Sequence, residues 1–239
     1  MFTDAGISTF SDMILGLPDE TYSTFISGVS DVIEAGQHNR IQFINLAILE
    51  NTEMASREYI EKFGLVLQES KMVSLHSSIN QDNEIPETQI LVVGTKSMSK
   101  EDWIKVRSFS WMISLLYFDK LLQIPFIVLN KAYSLSYGQL IEWFLIEDNE
   151  YPIISEILSL FTKKALSIQS RDIEYIPSEK WLNIYWPADE FVFIKLCTEN
   201  NLLKFYKEAK KIISYNLQKS GIKIAENLLK DSFTSNFEL

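Results

Sequence analysis

The sequence predicts an α/β corner taken from a barrel, then a β-rich connector, then a mainly α-helical carboxyl-terminal domain. Three observations carry this. A short apolar run, Ile7 to Gly16, ends at a Gly16-Leu17-Pro18 turn and leads into an amphipathic helix. A second apolar run, Ile41 to Leu49, follows that helix, which is the order of a β-α-β unit with parallel strands and a right-handed crossover. From Ser99 onward, apolar residues recur at helical spacing almost to the end of the chain. The expected boundaries are 1–63 for the barrel segment, 64–98 for the connector and 99–239 for the helical domain.

Each element follows from local chemistry. In the first strand Phe10, Asp12, Ile14 and Gly16 alternate with Ser11, Met13 and Leu15, and Pro18 ends the ladder. Asp19 and Glu20 favour a helix start, since negative charge complements the positive end of a helix dipole. Tyr22, Phe25, Ile26, Val29, Val32 and Ile33 form an apolar stripe, closed by Gly36. The second strand spans Arg40 to Leu49, with Phe43, Asn45 and Ala47 on one face. A short helix is expected over Ser56–Phe63, an extended irregular stretch over Leu65–Ile79, a loop at Gln81–Glu84 and a strand at Thr88–Gly94. Ser99 is a helix cap with Asp102 in the first turn. Further helices are expected at Phe126–Ile146, Ile153–Ile168, Ala188–Cys197, Leu202–Leu217 and Ile222–Phe233, with breaks at Pro125, Pro152, Pro177, Pro187 and Gly221.

Composition excludes several classes of function. With 32 acidic and 22 basic residues the formal net charge is −10, and no basic stripe is present to neutralise a phosphate backbone, so a nucleic-acid partner is not expected. One cysteine, Cys197, excludes an internal disulfide and any iron–sulfur cluster held by this chain alone. Its apolar neighbours predict a buried thiol. No apolar run reaches the length of about 18 residues needed for a membrane span, and no basic leader precedes one, so a cytoplasmic protein without a membrane partner is expected. No metal site, Walker loop, dinucleotide fingerprint or serine–histidine–aspartate set is apparent.

The run Ile14-Leu-Gly-Leu-Pro-Asp-Glu-Thr21 resembles the fifth strand and following turn of radical S-adenosylmethionine enzymes, in particular those with a cobalamin-binding domain. The likeness continues in Glu34-Ala-Gly-Gln-His-Asn39 and Leu49-Glu-Asn-Thr-Glu-Met54, then in Glu84-Ile-Pro-Glu87 and Thr95–Trp103, and covers about residues 5–110. Asp19 stands where that group reads glycine, Glu50 where it reads proline and Thr52 where it reads alanine. The three-cysteine loop that binds the [4Fe–4S] cluster, the cobalamin domain and the first four strands have no counterpart here.

The resemblance therefore implies the last two strands of a (β/α)6 barrel. The chain would be the carboxyl-terminal portion of a cobalamin-dependent radical S-adenosylmethionine enzyme, with methyl transfer to an unreactive carbon as a candidate reaction. It implies S-adenosylmethionine as a cofactor, with the cluster and cobalamin reached only through further sequence, and no activity for the isolated chain. The expected partners are the missing amino-terminal half or a protein supplying it, or a second copy, and a small-molecule substrate. The alternative is a non-catalytic helical interaction module that keeps a decayed barrel edge.

In such barrels the carboxyl ends of the strands carry the chemistry. Gly16 and Glu20 lie at the turn that the resemblance assigns to the nucleoside part of S-adenosylmethionine; a glycine-proline corner needed only for folding explains them as well. Asp12 and Asn45 are expected to face the lumen, with a buried hydrogen-bonded pair as the plainer account. Asn51 and Glu53 follow the second strand at the mouth, where a loop cap is the competing explanation. Gln37, His38, Asn39 and Arg40 precede that strand and belong to the opposite face, where residues usually serve stability. The aromatic stretch Glu174–Trp186 either lines a pocket or packs helices together.

Overall fold

A computed structural model describes residues 5–79 and 87–237 of the chain. The first strand, β1 (Phe10–Leu15), pairs in parallel with β2 (Arg40–Asn45), Met13 beside Phe43 and Leu15 beside Asn45, and α1 (Tyr22–Glu34) crosses between them. Among the described residues these two strands form a sheet of their own. The stripe of α1 buries Phe25, Ile26, Val29 and Ile33. Each such side chain contributes about 1.5–3 kcal/mol relative to exposure. Phe25 meets Phe43 at 6.1 Å between ring centres, so α1 covers the face that carries Met13, Leu15 and Phe43.

Asp19 and Glu20 do not open this helix. The cap is Thr21, whose side chain accepts from the Thr24 amide while the Thr24 hydroxyl accepts from the Thr21 amide. The reciprocal bonds satisfy two end groups at once, and both acids stay ahead of the first turn.

The second strand is shorter than expected. Leu46 donates its amide to the Leu15 carbonyl and accepts from the Val92 amide, so one residue bridges two sheets. Beyond it β3 (Ala47–Ile48) joins an antiparallel sheet in the order β3-β5-β4, with β4 at Leu67–Lys71 and β5 at Thr88–Val92. Between them α2 (Arg57–Phe63) is capped by Ser56 and ends at Gly64 in the left-handed conformation. The loop expected at Gln81–Glu84, and residues 84–86 of the Glu84–Glu87 landmark, lie outside the described residues.

The helical body is built on α3 (Lys100–Ile113), which Ser99 caps as expected, and nine of its residues are buried. Its end widens to i→i+5 bonding over Ser114–Phe118, with the Asp119 amide on the Ser114 carbonyl. The long helix expected over Phe126–Ile146 is two, α4 (Gln123–Tyr133) and α5 (Tyr137–Glu142), because Ser134 turns left-handed and Ser136 caps a new start. Pro125 sits in the first turn of α4, where no partner for its missing amide is needed, and so breaks nothing. Next come α6 (Pro152–Ile168), a hairpin of β6 (Ile176–Ser178) and β7 (Ile184–Trp186), α7 (Ala188–Thr198), α8 (Leu202–Lys219) and α9 (Glu226–Phe237). Pro177 lies inside a strand of that two-stranded hairpin, and α9 starts four residues later than the apolar spacing suggests. One apolar cluster runs from Leu15 through Trp103, Tyr117 and Phe161 to Phe233.

Cys197 is exposed, contrary to the burial expected of it. The buried positions of α7 are Ala188, Asp189, Val192 and Leu196, and Cys197 is one step round the helix from the last of them. Among the described residues no single helix is long and apolar enough to cross a membrane.

Candidate functional site

At the carboxyl end of β1, Gly16 has φ 88°, the left-handed region. A Cβ there would stand 3.2 Å from the Val92 carbonyl oxygen, so glycine is required by backbone and packing together. Glu20 follows, half-buried, and its Oε2 has no partner among the described residues. Loss of solvation pushes its carboxyl up to about 7. Asn45, at the matching end of β2, is buried, and its Nδ2 donates to Glu174 Oε1. Gln89 Nε2 donates to the other oxygen of Glu174 at 2.8 Å. One carboxylate thus ties β2, β5 and the approach to the hairpin.

The structure separates Asp12 from Asn45, which were expected to share the lumen. In a parallel pair, side chains in register share a face: Asp12 pairs with Gln42 and Asn45 with Leu15, so the two lie on opposite sides of the sheet. Asp12 is exposed on the side away from α1, among Phe10, Ile14 and Ile44, which are 68%, 41% and 41% exposed. Asn51 is exposed with φ 63°, and Glu53 is exposed at the start of a single 3₁₀ turn, Glu53–Ala55. Gly16, Glu20 and Asn45 therefore gather at the strand ends, while Asn51 and Glu53 stand on a solvated turn beyond them.

A second, larger feature lies along the free edge of β2. A cavity of about 430 Å3 is walled by Arg40, Gln42 and Ile44 of the strand, Arg107 and Trp111 of α3, Glu174, Tyr175, and Asp189 and Glu190 at the start of α7. Arg40 Nη1 meets Asp119 Oδ1 at 2.7 Å, and its Nη2 meets Asp189 at 3.3 Å and Glu190 at 3.9 Å. His76 Nε2 adds a 2.7 Å contact to Glu190. Burial, then the neighbouring Asp189 charge, pushes the Asp119 carboxyl up to about 7 against the pull of Arg40. Asp189 moves the same way, chiefly by burial.

Arg107 is 6% exposed. Its Nη1 donates to the Phe43 carbonyl at 3.1 Å, its guanidinium lies 4.3 Å from the Trp111 ring, and its Nε has no partner among the described residues. Burial holds it below the usual arginine range despite Glu174 and Asp189 nearby.

Of the cluster Gln37–Arg40, His38 Nδ1 meets the Tyr117 hydroxyl at 2.7 Å and Gln37 Nε2 donates to Ser11 at 2.9 Å, while Arg40 also reaches the cavity. Of the stretch Glu174–Trp186, read as lining a pocket or packing helices, Glu174 and Tyr175 wall the cavity, whereas Arg107, Asp189 and Glu190 escaped the sequence reading. The signal for Arg107 was present: it is the one full charge between Val106 and Phe118, a run that is otherwise apolar, serine or aromatic. Asp189 and Glu190 were masked because acids just after a proline read as an ordinary helix start. Among the described residues no group of three or more His, Cys, Asp or Glu side chains is arranged to hold a metal ion.

No family model matches the chain. Two curated proteins are similar to parts of it. One is the cobalamin-dependent radical SAM methyltransferase TokK of Streptomyces tokunonensis, 29% identical over 136 residues, which is 57% of this chain and 20% of that protein. Another is the 2-(S-pantetheinyl)-carbapenam-3-carboxylate methyltransferase of Streptantibioticus cattleyicolor, 29% identical over 116 residues, 48% of this chain and 17% of that protein. The chain thus spans about a fifth of the length of the relatives it matches, and about half of it is similar to two methyltransferases, one of them a cobalamin-dependent radical SAM enzyme.

Proposed function

We propose that this chain works as the carboxyl-terminal part of a cobalamin-dependent radical S-adenosylmethionine methyltransferase, with β1, α1 and β2 as the end of its barrel. The observation that carries the reading is the similarity to two methyltransferases, one of them a cobalamin-dependent radical SAM enzyme, over about half of the chain. The β-α-β geometry supports it. The side of the sheet away from α1 exposes Phe10, Ile14 and Ile44, an apolar surface that further barrel strands would cover.

Of the three implied groups, the residues present fit S-adenosylmethionine and do not fit the iron–sulfur cluster. Glu20 offers an unpartnered carboxylate oxygen beside the strand end, suited to accept from a hydroxyl or amino group of S-adenosylmethionine. In this reading Gly16 keeps the turn close to Val92, Asn45 fixes Glu174 at the end of β2, and the cavity beside β2 takes the substrate. A single, exposed Cys197 does not fit a [4Fe–4S] cluster, so the cluster and the reductive chemistry it supplies would be held by other sequence.

The test is co-expression with a barrel half that carries the cluster-binding cysteines, followed by size-exclusion chromatography. The account expects self-association of the chain alone and a stoichiometric complex with that half. A monomer that melts cooperatively and ignores the barrel half contradicts it, and favours a helical interaction module.

A further inference from the structure

We propose that the cavity between β2 and α3 binds a small zwitterion, its carboxylate on Arg107 and its cationic group against Asp189 and Glu190. As the substrate class of the enzyme this rests on the function proposed above; as a binding property it stands on the cavity alone.

The first ground is the charge on Arg107. A guanidinium taken out of water needs acceptors for its donors, and it gains most from a planar oxyanion. Arg107 is nine-tenths buried, yet it has one carbonyl bond, and among the described residues no carboxylate stands within ion-pair distance of it. Glu174, the nearest acid it senses, is committed to Asn45 and Gln89. A ligand carboxylate would supply the missing partner.

The second ground is the acidic wall. Asp189 and Glu190 line the cavity and, with Asp119 outside its lining, share the one guanidinium of Arg40, while His76 adds an imidazole contact to Glu190. Burial already penalises ionisation of Asp119 and Asp189, so a second cation at that wall would relieve the surplus. These two poles select the ligand. A dianion such as a phosphate ester would satisfy Arg107 but meet Glu174, Asp189 and Glu190. A simple amine would suit the acids and leave Arg107 unpaired. A molecule with one charge of each sign suits both, and Trp111 and Ile44 give its skeleton an apolar wall. The volume of about 430 Å3 lies within the range of small-ligand sites.

The experiment follows the arginine Nε–H signals of the 15N-labelled chain by NMR, which is tractable because the sequence holds four arginines. The probes are ω-amino acids from glycine to ε-aminocaproate, with caproate and hexylammonium as single-charge controls. The expected result is saturable movement of the Arg107 signal by one or more ω-amino acids, with Kd at least about ten-fold below either control. Glu190→Gln, a half-exposed change, should cut that advantage, and Arg107→Gln should abolish binding. No movement of the Arg107 signal, or a control that binds as tightly as the best zwitterion, overturns the proposal. Zwitterion binding without S-adenosylmethionine binding to the assembled protein would keep the site and sink the enzyme reading; the reverse would do the opposite.

Discussion

The guanidinium of Arg107 lies 4.3 Å from the ring of Trp111, one helical turn further along α3, and Trp111 in turn packs on Phe161 of α6 at 5.8 Å. The two residues share a buried face but differ in what they give the fold. Trp111 fills core, so Trp111→Ala should cost about 3–5 kcal/mol. Arg107 is a buried charge with few partners, and its replacement by an apolar side chain of similar length should be close to neutral, within about 1 kcal/mol for Arg107→Met. Urea denaturation of both variants checks this. A loss for Arg107→Met as large as that for Trp111→Ala would make Arg107 a structural residue and remove the chief support for a ligand in the cavity.

Helix α5 approaches α1 through Gly138, whose amide donates to the Ser30 hydroxyl at 2.7 Å. A Cβ at this position would stand 2.4 Å from Ile26 Cγ2 and 2.9 Å from Ser30 Oγ. Gly138→Ala must push the helices apart and should cost about 1–3 kcal/mol. At Gly16 the obstacle is a backbone oxygen at 3.2 Å together with φ 88°, and Gly16→Ala should cost a similar amount, about 1–3 kcal/mol. Thermal unfolding of the two variants tests both values.

Asp19 occupies the left-handed region, φ 64°, which favours glycine because any Cβ there is strained. Asp19→Gly should therefore stabilise the chain by about 0.5–1 kcal/mol, net of the entropy that glycine adds to the unfolded state. A lower melting temperature would show that the Asp19 side chain contributes more than its backbone costs.

Glu20 makes stability depend on pH. Its carboxyl rises from 4.5 to about 7 on folding through loss of solvation, so between those values the folded state holds more protons than the unfolded state. Stability then falls as pH rises through that window, with the full contribution present below about 4.5 and lost above about 7. Melting curves across this window should show the decline, and Glu20→Gln should flatten it. An unchanged slope in Glu20→Gln would assign the effect to Asp119, which is raised in the same direction.

Much of this arrangement is written in local patterns. The stripe from Phe25 to Ile33, the Ser99 cap, the glycine turn at Gly16 and the parallel pairing of the first two strands all rest on short-range chemistry, and they are present. What local pattern does not carry is contact over long separations. Asn45 finds Glu174 across 129 residues, and Arg40 finds Asp189 across 149. The cavity is made of such meetings, so most of its residues read in the sequence as a strand start, a helix start and a lone charge, and only the stretch that holds Glu174 and Tyr175 suggested a pocket. The break at Ser134 was hidden for another reason, since apolar spacing continues through it and only the left-handed backbone and the Ser136 cap divide the helix.

The central claim is that these strand ends form part of an S-adenosylmethionine site that other sequence completes. Calorimetric titration of S-adenosylmethionine onto the chain alone, onto a cluster-bearing barrel half alone, and onto the two together tests it most directly. The account predicts little or no binding to the chain alone and binding to the pair that is tighter than to the barrel half and weakened by Glu20→Gln. A pair that binds no better than the barrel half alone, with Glu20→Gln indistinguishable from the native chain, would contradict it.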